Sequence, residues 1–239
     1  MAANNAFRSS ITPLDIQAVS PALANYTKTA VEDGIWNRKE LSARDRSIIT
    51  VATLIARIQT IGMQHYFTKA LDSGVTAAEL SEIVTHLAFY SGWSNAFQAV
   101  EVLQSIFAER GIGEDKLPEV SPAPLPLNVE AEAKRATQVQ ANFGETSQGV
   151  VDNTTNFLFL DLWLRPALAP RDRSLVTVAA LVASGQIAQI PYHLNRALDN
   201  GLTREEASEV LTHMAFYSGW PTVFSALPVF KEVFAGRAK

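Results

Sequence analysis

The chain has 239 residues, 47% of them hydrophobic and 18% charged, with a net charge of −4 and a pI near 5.6. That is enough material for two modest cores or one shared core. The acidic balance argues against nucleic acid or an anionic membrane surface as partner, and the absence of cysteine excludes disulfides, thiolate metal sites and thiol redox chemistry.

The N-terminal residues Met1 to Arg8 lack the apolar core of a signal peptide, and the apolar stretch from Ile48 to Ile58 is interrupted by Thr50, Thr53 and Arg57. No bilayer span is expected, and the chain is predicted to be soluble and cytoplasmic. After an extension from Ile16 to Trp36, Ser42 and Asp45 have capping-box spacing ahead of Ile48, Ile49, Val51, Ala52, Leu54 and Ile55, an apolar face of helical period. Gly74 closes the next helix, and Thr76 with Glu79 opens a third that carries His86 and stops at Ser91-Gly92-Trp93. From Gly111 to Asn128 prolines recur at 118, 122, 124 and 126, which predicts a stiff extended connector. A second extension runs from Val129 to Trp163. Pro170 then suits the first turn of a helix, Gly201 closes the following one, and Thr203 with Glu206 caps the helix of His213. Pro221 is expected to start a last helix packed through Phe224, Leu227 and Phe230. No segment alternates as a strand would, so the fold is predicted to be all α.

The same elements occur twice. Leu41-Ser-Ala-Arg-Asp-Arg-Ser47 returns as Leu168-Ala-Pro-Arg-Asp-Arg-Ser174, and Thr85-His-Leu-Ala-Phe-Tyr-Ser-Gly-Trp93 returns as Thr212-His-Met-Ala-Phe-Tyr-Ser-Gly-Trp220. Arg44 and Arg171, His86 and His213, and Trp36 and Trp163 are all 127 positions apart, so the repeats need no gap. Two homologous units are predicted, residues 1–117 and 129–239, joined by a proline-rich linker at 118–128. Trp36 and Trp163 should pack equivalently as core or interface anchors. Asp45 and Asp172, each between arginines, suit caps and ion pairs.

The order Arg-Asp-Arg-Ser-Leu, His193-x-x-x-Ala197-x-x-x-Gly201, Glu209 and His213-x-x-x-Tyr217-x-Gly219-x-Pro221 resembles the carboxymuconolactone decarboxylase family, all-helical proteins that include decarboxylases of aromatic catabolism and thiol peroxidases. The resemblance implies tandem units of that fold, no cofactor, and a histidine at 193. The peroxidase branch has a Cys-x-x-Cys pair where this chain has Gln186 and Gln189, and Gln59 and Gly62 in the first copy, so thiol peroxidase chemistry is excluded. The decarboxylase branch carries a glutamate at the position of Gln189. Glutamine loses the general base but keeps a hydrogen-bonding group.

The candidate catalytic set is therefore His193, His213 and Gln189, with His193 as the acid that protonates a dienolate after loss of CO2. Candidate substrate contacts are Gln186, Tyr217, Trp220, His86, Tyr90 and His65. His193, Gln189, Gln186, His213 and Tyr217 are expected to share one site in the second copy, since His213 and Tyr217 lie on one helix face. Against this, His86 and His213 agree between copies, as buried structural histidines would, whereas His193 faces Tyr66 in the first copy. His65 is one residue earlier, about 100° around the helix. Trp93 and Trp220 suit a pocket or a subunit contact. With four histidines and no repeated ligand spacing, no metal site is expected. Three functions stay open: a cofactor-free lyase on a small carboxylated lactone or enolisable ring compound, another hydrolase or isomerase activity, and a non-catalytic binding or assembly protein. The resemblance also implies a homotrimer, a pseudo-hexamer of six units.

Overall fold

Side-chain caps or first-turn prolines set where most helices of this chain begin. In the computed structural model, which describes residues 11–237, α1 (Pro13–Val19) opens on a Thr12–Asp15 capping box, and α2 (Pro21–Tyr26) runs into a π-helical turn at Thr27–Glu32. α3 (Ala43–Ala56) starts at Ser42, whose hydroxyl accepts the Asp45 N–H at 3.0 Å. α4 (Thr60–Asp72), α5 (Ala77–Ser91) and α6 (Trp93–Arg110) follow. The second repeat begins with α7 (Val129–Phe143) and then repeats the pattern: α8 (Gln148–Asn153) runs into a π turn at Thr154–Phe159. α9 (Pro170–Ala183), α10 (Ile190–Asp199), α11 (Arg204–Ser218) and α12 (Trp220–Arg237) complete it. The boxes Thr76–Glu79 and Thr203–Glu206 are both closed, and Gly74 (φ 90°) and Gly201 (φ 99°) turn the chain out of α4 and α10 through a conformation that costs a residue with a Cβ. Among the described residues there is no strand, and no helix is long and apolar enough to cross a membrane.

The two central helices are buried on every side. All residues from Asp45 to Ile55 in α3 and from Asp172 to Ala183 in α9 are buried, as befits helices that are largely apolar all round. They pack on each other, and α5 and α11 each lie against both, so one apolar core runs through the two repeats. At the starts of α3 and α9 the repeated motifs cross-link. Arg171 donates to Asp45 at 2.9 Å and to Glu206 at 2.8 Å, while Arg44 pairs with Asp172 at 2.8 Å and with Glu79. No helix occupies residues 118–128, and this segment is pinned by the Leu125 N–H to Leu164 O (2.7 Å) and by Arg165 to the carbonyls of Glu119 and Val120.

The last helix departs from expectation. It starts at Trp220, with Pro221 in its first turn, and of the three apolar residues assigned to its core face only Phe230 is buried. Phe224 and Leu227 are 64% and 41% exposed. The buried face is Val223, Ala226, Phe230 and Val233, at helical spacing, whereas Phe224 and Leu227 continue an outward stripe with Phe216 and Trp220. α12 is apolar on two faces, and periodicity alone picked the wrong one.

Between α3 and α4, Ile58 adopts φ 56° where the second repeat has Gly185 at φ 70°. A β-branched residue in the left-handed region costs roughly 1–2 kcal/mol, against roughly 0.5–1 kcal/mol for the extra freedom glycine has in the unfolded chain. Ile58 is 47% exposed, so truncation also gives up about half of the side chain's burial, roughly 1 kcal/mol, which offsets the relieved strain. Ile58→Gly is therefore expected to leave the urea midpoint nearly unchanged despite the loss of the side chain, and a large drop would contradict this strain.

Two composite histidine clusters and the candidate active site

On α11, Glu209, His213 and Tyr217 recur every fourth residue and so share a face. That face is turned to α3 of the first repeat. The His213 Nε2 lies 2.8 Å from the Thr50 hydroxyl, and its Nδ1 lies 3.4 Å from Nη1 of Arg46. The Thr50 hydrogen is already donated to the Arg46 carbonyl at 2.7 Å. The ring must therefore donate from Nε2 and accept at Nδ1, which fixes a neutral tautomer. Glu209 receives Arg46 at 2.9 Å and the Arg38 fork at 2.7 and 2.9 Å. Burial, aided by the Arg46 charge, pushes the His213 pKa down to about 3. The twin cluster reverses the donors: α5 supplies Glu82, His86 and Tyr90, and α9 supplies Thr177 (2.7 Å to His86 Nε2) and Arg173 (3.4 Å to Nδ1). Glu82 takes Arg173 at 2.9 Å and Arg165 at 2.8 Å, and burial holds the His86 pKa well below its usual value.

Above each histidine sits an aromatic layer, and here the repeats differ. In the first cluster Trp36 Nε1 donates to the Tyr217 hydroxyl at 2.7 Å, which donates on to the Tyr66 hydroxyl at 3.0 Å. Tyr66 stacks on Trp36 (centroids 6.0 Å, planes 9° apart), and Lys69 caps the indole at 4.3 Å. In the second cluster Trp163 Nε1 donates to the Tyr90 hydroxyl at 2.9 Å, His193 stacks on Trp163 (5.8 Å, 14°), and the Arg196 guanidinium lies 4.1 Å over the indole. Tyr90 meets His193 nearly at right angles, with centroids 5.3 Å apart, and Tyr192 does so at 5.0 Å. Among the described residues no acceptor takes the Tyr90 hydroxyl hydrogen, and His193 Nδ1 is buried without a partner. His193 is 7% exposed, and burial, with Arg196 adding to it, lowers its pKa to about 3. The second cluster thus leaves a buried imidazole nitrogen unpartnered at the place where, in the first, the Tyr66 hydroxyl accepts from Tyr217.

A model of the carboxymuconolactone decarboxylase family matches residues 21–105 and again 148–232. The chain belongs to the carboxymuconolactone decarboxylase family. It is 32% identical over 101 residues to the 4-carboxymuconolactone decarboxylase of Acinetobacter baylyi, covering 42% of this chain and 75% of that one. It is also 31% identical over 75 residues to the nitrosuccinic acid decarboxylase of Metarhizium robertsii, where the match spans 31% of this chain and about half (52%) of the relative. A solved structure described as a gamma-carboxymuconolactone decarboxylase subunit, from Burkholderia xenovorans, aligns with TM-score 0.56 at 20% identity over 96% of this chain and 92% of that one, which establishes the shared fold.

Within this family fold the predicted site residues separate into two groups. His193 lies with Tyr90 and His86 of the first repeat, not with His213 and Tyr217, which belong to the cluster of Tyr66. The expected grouping fails because α5 and α11 each cross to the central helix of the other repeat. Gln186 and Gln189 are exposed and make no side-chain hydrogen bond to His193. A short 3-10 turn at Ile187–Gln189 precedes α10, so the spacing of four does not carry Gln189 onto the buried face of His193. Trp220 is exposed against Phe216, and His65 sits outside, edge-on to Tyr66 at 4.8 Å. The sequence reading missed Arg46, Arg173, Thr50, Thr177, Arg38, Arg165 and Arg196. The first six form matched pairs at the repeat offset, a signal that was available. Two surface hollows, of about 350 Å³ beside Arg57 and Pro221 and about 550 Å³ between α7 and α8, include none of the histidines.

The buried neutral histidines make folding pH-dependent. Unfolded histidine titrates at 6.5, whereas His193 and His213 do so at about 3, so between these values the unfolded chain binds the extra protons. Their contribution is complete above pH 6.5 and is lost on acidification by about 1.4 kcal/mol per pH unit for each ring. Glu209, held below its usual 4.5 against burial by Arg38 and Arg46, adds a further loss only below that value. The urea midpoint is expected to drop clearly from pH 7.5 to pH 5, and less so in His213→Asn; equal midpoints would contradict the neutral buried state.

Proposed function

We propose that the cluster around His193 is the active site of a cofactor-free decarboxylase acting on a small carboxylated lactone or enolisable ring compound. One observation carries this: of two clusters built alike, only the second places an imidazole in its aromatic layer, and the Nδ1 of that ring is buried without a partner. Unmade hydrogen bonds in a buried site cost about 1–3 kcal/mol each, so their retention fits a bound ligand. The relatives named as decarboxylases supply the reaction class.

The roles follow from the chemistry. Arg196 holds the substrate carboxylate, and the charge it brings near the imidazole opposes the desolvation that keeps His193 neutral, so a proton is taken up with the substrate. The bond between ring carbon and carboxylate breaks, CO2 leaves, and the electron pair passes into the conjugated carbonyl as a dienolate. Tyr90, whose pKa burial raises, stays protonated and donates its hydrogen to the enolate oxygen. His193 delivers its proton to carbon and returns to the neutral imidazole. In this scheme His86 and His213, with both ring nitrogens engaged, position Tyr90 and Tyr217 rather than react. His193 is enclosed, and neither surface hollow leads to it, so binding and turnover alike require the cluster to open.

His193→Ala is expected to lower turnover of carboxymuconolactone by on the order of 10²- to 10⁴-fold, with His193→Gln nearly as poor, because an amide cannot supply the proton. Normal turnover at a lowered melting temperature would make His193 structural. Ligand-induced stabilisation of the wild type without CO2 release would support the binding role instead.

The same proposal includes assembly as a homotrimer. Phe89, Trp93, Phe97 and Val100 form an exposed stripe whose twin is Phe216, Trp220, Phe224 and Leu227, and such paired apolar surface suits contacts repeated around a ring. Light scattering is expected to give three times the chain mass of 26.0 kDa, and a monomer at micromolar concentration would rule this out.

A further inference from the structure

His193 is closed off from solvent, so a ligand reaches it only if a ring packed on it moves. Three rings meet the imidazole: Trp163 stacked at 5.8 Å, Tyr90 edge-on at 5.3 Å and Tyr192 edge-on at 5.0 Å. Trp163 is buried and its Nε1 is bonded to the Tyr90 hydroxyl, while the His86 ring stacks on Tyr90 at 4.7 Å. Neither of these two can leave without breaking the bonded layer. Tyr192, in the first turn of α10, is held less firmly. It is 44% exposed, whereas the imidazole it abuts is 7% exposed, so one side of its ring meets water and another meets His193. Its other ring contact is edge-on with Phe159 at 6.1 Å, and among the described residues its hydroxyl has a single partner, Nη1 of Arg196 at 3.4 Å. A hydrogen bond of that length is weak, and an exposed side chain changes rotamer on the picosecond to nanosecond scale.

We propose that Tyr192 is the gate of the His193 site, latched by its hydroxyl on Arg196, and that its side chain turns outward to admit a ligand. The inference rests on the reading of His193 as the centre of a ligand site. Arg196 sits one turn along α10 from Tyr192 and lies 4.1 Å over the Trp163 indole, so the guanidinium that would hold a carboxylate is also the group that holds the tyrosine. A carboxylate is a stronger acceptor than a phenol oxygen, so an arriving anion takes the latch from Tyr192. Because the anion binds only the open form, it shifts the gate toward that form.

Diethyl pyrocarbonate, which acylates accessible neutral imidazole, reads the gate in the full chain, because peptide mass spectrometry scores all four histidines at once. His65 is exposed and calibrates the reagent, whereas His86 and His213 are buried with both ring nitrogens engaged and report any loosening of the fold. In Tyr192→Ala, His193 is expected to react about tenfold faster relative to His65 than in the wild type, as loss of an aromatic contact and a hydrogen bond warrants. Tyr192→Phe keeps the ring and loses the latch, and should give about threefold. His86 and His213 should stay slow in both. An unchanged His193 rate in Tyr192→Ala overturns the gate and places the entrance elsewhere. If Tyr192→Ala does not fold, or speeds all three buried rings alike, Tyr192→Phe decides, and a wild-type His193 rate in it overturns the proposal. Carbon dioxide release from carboxymuconolactone, followed on the same preparations, separates this inference from the reading of the site. Turnover by the wild type with His193 labelling that ignores Tyr192 overturns the gate alone. Labelling that follows Tyr192, with no turnover by the wild type, supports the gate and removes the decarboxylase reading.

Discussion

Glu82 and Glu209 are buried carboxylates whose cationic partners come from the opposite repeat. Glu209 is met by Arg46 and Arg38 from the first repeat, and Glu82 by Arg173 and Arg165 from the second. A charge left alone in such a place costs several kcal/mol, and a paired one roughly breaks even. The gain from these triads is therefore positional: each ties a helix of one repeat to the central helix of the other, and moving α5 or α11 alone would leave an orphan charge. The arginines also supply the hydrogen bonds that hold His86 and His213 in one tautomer, so the same constraint extends to the aromatic layers above.

That arrangement makes each cluster a joint product of both repeats, and it changes how the duplicate should be compared. The second-repeat residues His193, Trp163 and Arg196 work with Tyr90 of the first, while Tyr66, Trp36 and Lys69 of the first work with Tyr217 of the second. The parts that agree between the clusters, Glu, His, Tyr, Trp and the two arginines, are the ones tied to one another. The residues that differ lie in the aromatic layer and around it: His193 against Tyr66, Tyr192 against His65, Arg196 against Lys69, Phe159 against Glu32. A tyrosine hydroxyl reaches far enough to close the chain of hydrogen bonds from Trp36, and an imidazole at the same place does not. The Tyr217 hydroxyl hydrogen therefore has a partner in the first cluster, where that of Tyr90 has none among the described residues in the second.

Much of the fold was legible because caps act within one turn. Thr76 with Glu79, Thr203 with Glu206, Ser42, Pro170 and the glycines at 74 and 201 mark their helix ends wherever the rest of the chain goes. The matched Trp36 and Trp163 pack alike, as the repeat offset implied. What was not legible is which neighbour a face meets. His213 and Tyr217 do share a face, but periodicity cannot say that the face is applied to α3 rather than to α9. Gln189 was placed by counting along a helix that the 3-10 turn interrupts, and Phe224 and Leu227 by an apolar pattern that α12 satisfies on two sides.

Fusion of two repeats in one chain has a chemical consequence. In a dimer of identical units both clusters would carry the same residues, so a change such as histidine to tyrosine would appear in both and remove the imidazole from this layer altogether. In a single chain the two can diverge, and the aromatic layer of one can be closed as packing while the other keeps polar atoms unsatisfied. The cost of the unpartnered imidazole, about 1–3 kcal/mol, then falls on the second cluster, while the Tyr66–Tyr217–Trp36 chain and both Glu–Arg ties hold the shared core around it. The rigidity of the first cluster is thus part of what keeps His193 and Tyr90 in place, because α5, which presents Tyr90, and α11, which presents Tyr217, are packed against the same pair of central helices.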